Sequence, residues 1–211
     1  MAGPQRETSE PKNPPENPPV AGLLLAAGGG RRLGGRPKAL LSHRGRPLVE
    51  YAVRTLREGG CSTVHVVLGA ASDEVRRRAE LPGCVLVDNP GWADGMGSSL
   101  RAGLDSLAAT DAQAALVLLV DQPGIGPAAV ARVLAAHRSP DSLASASYEG
   151  RRGHPVLFGA RRWVDISADA VGDRGARAYL KAHENDIVLV ECGDVAEPYD
   201  IDTVDDLSHL E

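Results

Sequence analysis

The sequence predicts an α/β fold of three layers, α/β/α, around a mostly parallel sheet. Short apolar runs alternate with segments of helical phasing, which implies parallel strands joined by crossover helices. Loops rich in glycine or carrying an Asp follow several of those runs, as they do at the carboxyl edge of such sheets. Composition agrees: 43% hydrophobic residues in a chain of 211 suffice for one substantial core, and with only 3% aromatics that core must be Leu, Val and Ala.

The segment Met1–Pro19 holds six of the fifteen prolines and almost no apolar side chains, so burial cannot offset the entropy of ordering it. It is expected to be a disordered tail, leaving 20–211 as a single domain. Ala21–Ala26 reads as the first strand, followed by a helix phased on Leu48, Ala52, Val53 and Leu56. Strand signals recur at Val64–Leu68, Cys84–Val87 and Ala115–Val120. Further helices are phased on Leu100, Leu104, Leu107 and Ala108, and on Val130, Val133, Leu134 and His137. Leu143–Ser147 and Pro155–Phe158 flank YEGRRGH, a hairpin with Gly150 and Gly153 in its turn. Asp173 is placed to cap a helix carrying Ala176, Tyr179 and Leu180, and Thr203 with Asp206 fits a capping box for the last helix.

The stretch Leu23–Leu41, LLLAAGGGRRLGGRPKALL, points most directly to chemistry. An apolar run breaks into five glycines, four cations and one proline before hydrophobicity returns. Gly28, Gly29 and Gly30 lack a Cβ, so backbone N–H groups there can close on a bulky anion. Arg31, Arg32, Arg36 and Lys38 supply charge to neutralise a triphosphate. A Walker loop is excluded because Arg36 and Pro37 stand where Lys and Ser or Thr belong, and a dinucleotide fingerprint because Leu33 replaces its third glycine. What remains is GxGxRxG, from Gly28, Gly30, Arg32 and Gly34, with Lys38 beyond.

The net charge of −5 argues against a general nucleic-acid or membrane-surface binder while leaving this local cluster free to hold a small anion. Cys61, Cys84 and Cys192 show no metal-ligand or disulfide spacing. No apolar run approaches a membrane span or a signal-peptide core, so a cytoplasmic protein is expected.

Ligands of such sheets gather beyond the carboxyl ends of the strands. There the fourth strand runs into Asp121-Gln122-Pro123, where a carboxylate suits Mg²⁺ bridging phosphates or simply caps a turn. NPGWADGMGSSL opens the helix after the third strand. Gly97 permits close approach, and Ser98 and Ser99 can cap that helix or meet a nucleobase edge. Arg151, Arg152 and His154 either grip a second anionic substrate or decorate a hairpin. Asp200 and Asp202 lie outside the last helix, and either can complete a Mg²⁺ shell with Asp121.

With DQPGI, GRRGHPVLF, GDRGAR and DIDTVDDL in this order, the chain resembles the MobA-like NTP transferase family over Ala21–Glu211, particularly its molybdenum cofactor cytidylyltransferase branch. The resemblance implies a Rossmann-like nucleotidyltransferase fold of the glycosyltransferase-A type. It carries triphosphate binding to Ala26, Ala27, Gly28, Gly30, Arg32 and Lys38, the base pocket to Gly97 and Ser98, and Mg²⁺ to Asp121. Related sugar nucleotidyltransferases place the first Asp of the terminal motif on the metal, which favours Asp200 over Asp202. Ala27, where guanylyl members tend to carry LAGG, makes CTP the expected donor. The implied reaction transfers CMP to the terminal phosphate of molybdenum-bearing molybdopterin, with pyrophosphate released and a recipient molybdoenzyme downstream. An already anionic nucleophile requires charge neutralisation by Mg²⁺, Arg32 and Lys38 rather than a general base. Three other readings stay open: GTP-dependent guanylyl, sugar-phosphate or phospholactate transfer, non-catalytic delivery of a pterin cofactor, and a nicotinamide-dependent oxidoreductase.

Overall fold

A computed structural model describes residues 19–210. The expected tail therefore lies outside the described residues except for Pro19, whose carbonyl accepts the Gln113 N–H at 2.9 Å.

The first half contains β1 (Val20–Leu25), a two-residue ribbon of β2 (Ser42–His43) and β3 (Arg46–Pro47), then α1 (Leu48–Glu58), β4 (Val64–Leu68) and α2 (Ser72–Arg78). β5 (Val85–Asp88), α3 (Met96–Ala108), β6 (Ala114–Leu119) and α4 (Pro127–Leu134) follow. The second half adds β7 (Leu143–Tyr148), β8 (Arg151–Gly159), α5 (Trp163–Asp169), α6 (Arg177–Ala182) and β9 (Val188–Glu191).

Seven strands make one sheet in the order β5-β4-β1-β6-β8-β7-β9. β8 alone runs against its neighbours, so the sheet is mostly parallel, as the alternation predicts. Period-2 alternation splits each central strand between two cores. Val20 and Leu24 of β1 and Leu116 and Leu118 of β6 face α1 and α4, while Leu23, Leu25, Ala115 and Val117 face α3 and α5. β1, with all six residues buried, forms the centre of the three layers.

The other expected strands lie within one residue of their expected bounds, but β8 starts four residues before the expected Pro155, at Arg151, and several local expectations need correction. Glu149 and Gly150, both at positive φ (52° and 78°), make the hairpin turn. Gly153 instead sits inside β8 where the register shifts, because a Cβ there would stand 2.8 Å from the Tyr148 ring. Asp173 does not cap α6, which starts after Ala176 without a side-chain cap. α3 likewise starts after Gly95, so neither Ser98 nor Ser99 is its N-cap. α4 ends at Leu134, leaving His137 in the following turn. Asp206 does accept the backbone N–H groups of Asp202 and Thr203, at 3.0 and 2.7 Å, while the Thr203 hydroxyl donates to the same carboxylate rather than capping the helix itself.

Candidate active site

Four parallel strands, β5, β4, β1 and β6, empty onto one edge of the sheet, and the loops that follow them build the site. Gly30 is the residue that closes the glycine loop. Its φ is 62°, and its carbonyl accepts the N–H groups of Leu33 and Gly35 at 2.8 and 3.0 Å. A Cβ on it would lie 1.8 Å from the Arg36 carbonyl oxygen, so only glycine lets the chain return on itself here. Leu33, which breaks the dinucleotide pattern, is fully buried in the core and anchors the loop from below.

The loop brings Lys38 to Asp121 at the end of β6. Lys38 Nζ donates to Asp121 Oδ2 at 2.7 Å and also to Asp202 Oδ1. Burial opposes the charge on this amine, and the Asp121 and Asp202 carboxylates outweigh it, so its pKa stands above the usual lysine value. Arg32, with its side chain 75% exposed, lies 3.6 Å from the other oxygen of Asp202.

Asp202 comes from the far end of the chain, and two backbone links hold it there. Ile201 donates its N–H to the Asp121 carbonyl at 2.9 Å and is itself fully buried, while Glu197 N–H reaches the Gly124 carbonyl at 3.1 Å. The two neighbours of Ile201 then reach different partners. Asp202 reaches Lys38, whereas Asp200 Oδ1 accepts the Gln122 amide at 2.7 Å. Burial raises the Asp200 pKa, the Gln122 hydrogen bond opposes this, and the charges of Asp121 and Asp202 add to the rise. Among the described residues, no group of three or more His, Cys, Asp or Glu side chains is gathered as a metal site.

Two cavities meet at this edge. The smaller, about 290 Å³, is lined by Ala27, Gly28, Gly29, Arg31, Lys38 and Asp121 from the glycine-loop side and by Trp92, Gly95, Met96, Ser99 and Asp173 opposite. The larger, about 960 Å³, has an apolar floor of Leu100, Val117, Val156 and Phe158. Arg151, Arg152, Arg174, Arg177 and Lys181 line it, with Glu149, Glu197 and Asp200 among the acids present. His154 opens onto this space. Burial, aided by the Arg177 charge and opposed by Asp121, pushes its pKa down to about 4, so the imidazole is neutral near pH 7. The cavities share Leu25, Met96 and Leu119.

The other expected site residues lie elsewhere. Ala26 is buried in the core under the loop. Gly97 is buried where a Cβ would stand 2.6 Å from the Ala170 carbonyl oxygen, so it serves close packing of α3. Ser98 is buried too; its hydroxyl meets the carbonyls of Gly91 and Gly95 at 2.8 and 2.9 Å and accepts the Asn89 amide at 2.8 Å. Ser99, one position on, lines the smaller cavity. Sequence reasoning also missed Trp92, Asp173 and the cations of α6. NPGWADGMGSSL and GDRGAR were the available signals, since both follow breaks in regular structure and carry polar residues.

A family model described as the MobA-like NTP transferase domain matches residues 22–187. The chain belongs to this family. Among its relatives, the nicotine blue oxidoreductase of Paenarthrobacter nicotinovorans is 43% identical over 200 residues, covering 92% of this chain and 97% of that protein. The molybdenum cofactor guanylyltransferase of Acidiphilium cryptum is 35% identical over 158 residues, 74% of this chain and 73% of that one. Among solved structures, a homologue of Mycobacterium tuberculosis Rv0371c from Mycobacterium sp. strain JC1 superposes with a TM-score of 0.79 at 32% identity, covering 90% of this chain and 94% of that chain. Rv0371c in complex with manganese gives 0.71 at 26% identity, covering 91% and 97%. The MobA-like fold is thus shown, and it is the three-layer nucleotidyltransferase architecture expected from the sequence. Among the described residues, no helix of this MobA-like domain is long and apolar enough to cross a membrane.

Proposed function

We propose that this MobA-like protein transfers a nucleoside monophosphate from an NTP, with CTP the donor, to a phosphorylated flat heterocycle of the molybdopterin type. The observation that carries the reading is the meeting of two unlike cavities across Leu25, Met96 and Leu119, with Lys38 and Asp121 lining the smaller and Asp200 the larger. The smaller one, bounded by the glycine loop, suits a triphosphate. The larger one offers an apolar floor for a planar ring, a neutral His154 to exchange hydrogen bonds, and cations for the acceptor's phosphate.

Two carboxylates of hard oxygen donors fit Mg²⁺, which takes one or two protein carboxylates and completes its shell with phosphates and water. Asp121 and Asp202 would hold it, and when bound it would neutralise charge on the phosphates. A manganese complex of a relative with this fold is in keeping with that assignment. The acceptor phosphate oxygen bonds to the α-phosphorus as the α–β bridging bond breaks, and pyrophosphate departs with the electron pair. No proton moves, so the chain's work is alignment and charge neutralisation by Lys38, Arg32 and Arg31. The choice of CTP rests on Ala27, which lines the smaller cavity.

A second reading has a specific observation behind it, the 43% identity to a protein named for oxidoreduction of nicotine blue. There the smaller cavity would take a nicotinamide nucleotide by its pyrophosphate and the larger one a flat acceptor ring. One experiment separates the two. Purified protein with Mg²⁺, CTP or GTP, and molybdenum-loaded molybdopterin should release pyrophosphate, while loss of reduced-nicotinamide absorbance with a quinonoid heterocycle, and no pyrophosphate, would establish the oxidoreductase instead.

A further inference from the structure

We propose that Lys38 is a built-in cation that closes the Asp121–Asp202 pair to metal until a polyphosphate draws it away. The proposal rests on the phosphate-clamp reading of the smaller cavity. The Lys38 ammonium bonds one oxygen of each carboxylate, and Arg32 approaches the second oxygen of Asp202 at 3.6 Å. The Lys38 and Asp121 side chains are only 16% and 18% exposed, so this half of the clasp is sheltered, while Asp202, 43% exposed, closes it from the solvent side. The ammonium thus competes with any divalent cation for the same oxygens.

The backbone beneath Lys38 is held by its neighbours. Ala39 is buried, the Leu41 N–H bonds the Lys38 carbonyl at 3.1 Å, and Pro37 sets the entry to the turn. Movement therefore falls to the four-carbon side chain, whose donors can turn to a new acceptor. Lys38, Gly28 and Gly29 line one cavity, so a polyphosphate on the glycine loop lies within the reach of that side chain. When the amine leaves, two carboxylates remain without their cation, and Asp200 adds a third negative charge nearby. Phosphate and metal then enter together, each raising affinity for the other, as coupling requires.

The test uses Mn²⁺ alone, without nucleotide, titrated into the full chain and followed by the free-ion electron paramagnetic resonance signal. Lys38→Met and Lys38→Gln should bind Mn²⁺ about tenfold or more tightly than the wild type, and Lys38→Arg, which keeps the charge, should not. Adding Asp121→Asn to Lys38→Met should remove the gain. Equal binding by wild type and the neutral variants, or no gain in either, overturns the proposal. If neither neutral variant folds by circular dichroism, the wild-type titration decides, and tight nucleotide-free binding overturns it. These arms contain no nucleotide, so their failure is distinct from failure of the nucleotide reading, which shows as no thermal shift of the wild type with CTP or GTP.

Discussion

Lys38 and Asp121 stand 83 positions apart in the chain, and Nζ of the first lies 2.7 Å from Oδ2 of the second. The contact joins the loop after β1 to the end of β6, and Asp202 completes it from the C-terminal segment. Lys38→Ala and Asp121→Ala should each lower turnover by about two orders of magnitude or more in a pyrophosphate-release assay. Near-normal activity in either variant would remove that residue from the mechanism.

Gly30 and Gly28 should differ in how alanine affects stability. Gly30→Ala meets the Arg36 carbonyl and a left-handed φ, so it should lower stability by about 1 kcal/mol or more in denaturant melts and weaken nucleotide binding. At Gly28 nothing lies within 4 Å of the added Cβ, so stability should hold while the methyl group intrudes on the phosphate space and binding alone suffers.

Ser98 is bonded into the α3 start rather than into the cavity. Ser98→Ala leaves the buried Asn89 amide short of one acceptor and should cost about 1–3 kcal/mol of stability, with the KM for nucleotide little changed. Ser99→Ala removes the other acceptor of the Asn89 amide, at 3.0 Å, and should lose stability as well, but with a raised nucleotide KM; a KM effect confined to Ser98 would contradict this placement.

Arg177 tests the acceptor side. It lines the larger cavity but not the smaller one, so Arg177→Ala should raise the acceptor KM about tenfold while the nucleotide KM stays put. Equal effects on both constants would show that the cation serves the nucleotide.

Acid should destabilise the protein through His154. Its folded pKa of about 4 lies below the ordinary value near 6.5, so between these values the unfolded chain binds the extra proton. Stability is therefore complete above about pH 6.5 and declines as pH falls toward 4. Burial shifts His43, His65 and His137 in the same direction, steepening the trend. Thermal melts from pH 7 to 5 should show it, and His154→Gln should flatten the slope without abolishing it.

Much of this architecture was legible because it is periodic. Leu48, Ala52, Val53 and Leu56 bury one face of α1, and the apolar run of β1 had no place except between two helical layers. The glycine loop was legible because its chemistry is contiguous. The antiparallel course of β8 was foreshadowed only by the hairpin, and the helix caps failed because Gly95 and Ala176, which have no hydrogen-bonding side chain, hold those positions.

By itself, then, the sequence determined the layers, the composition of the core, and a glycine loop ahead of Lys38, all of which depend on neighbours within a turn or a strand. Tertiary structure decided which carboxylate meets Lys38, which serine faces the cavity, and which cations surround the larger pocket. Asp200 and Asp202 are alike in type and two residues apart, so nothing local separates them. The backbone bond from Ile201 to Asp121, with Ile201 seated in the core, sets the register that turns one carboxylate to Gln122 and the other to Lys38.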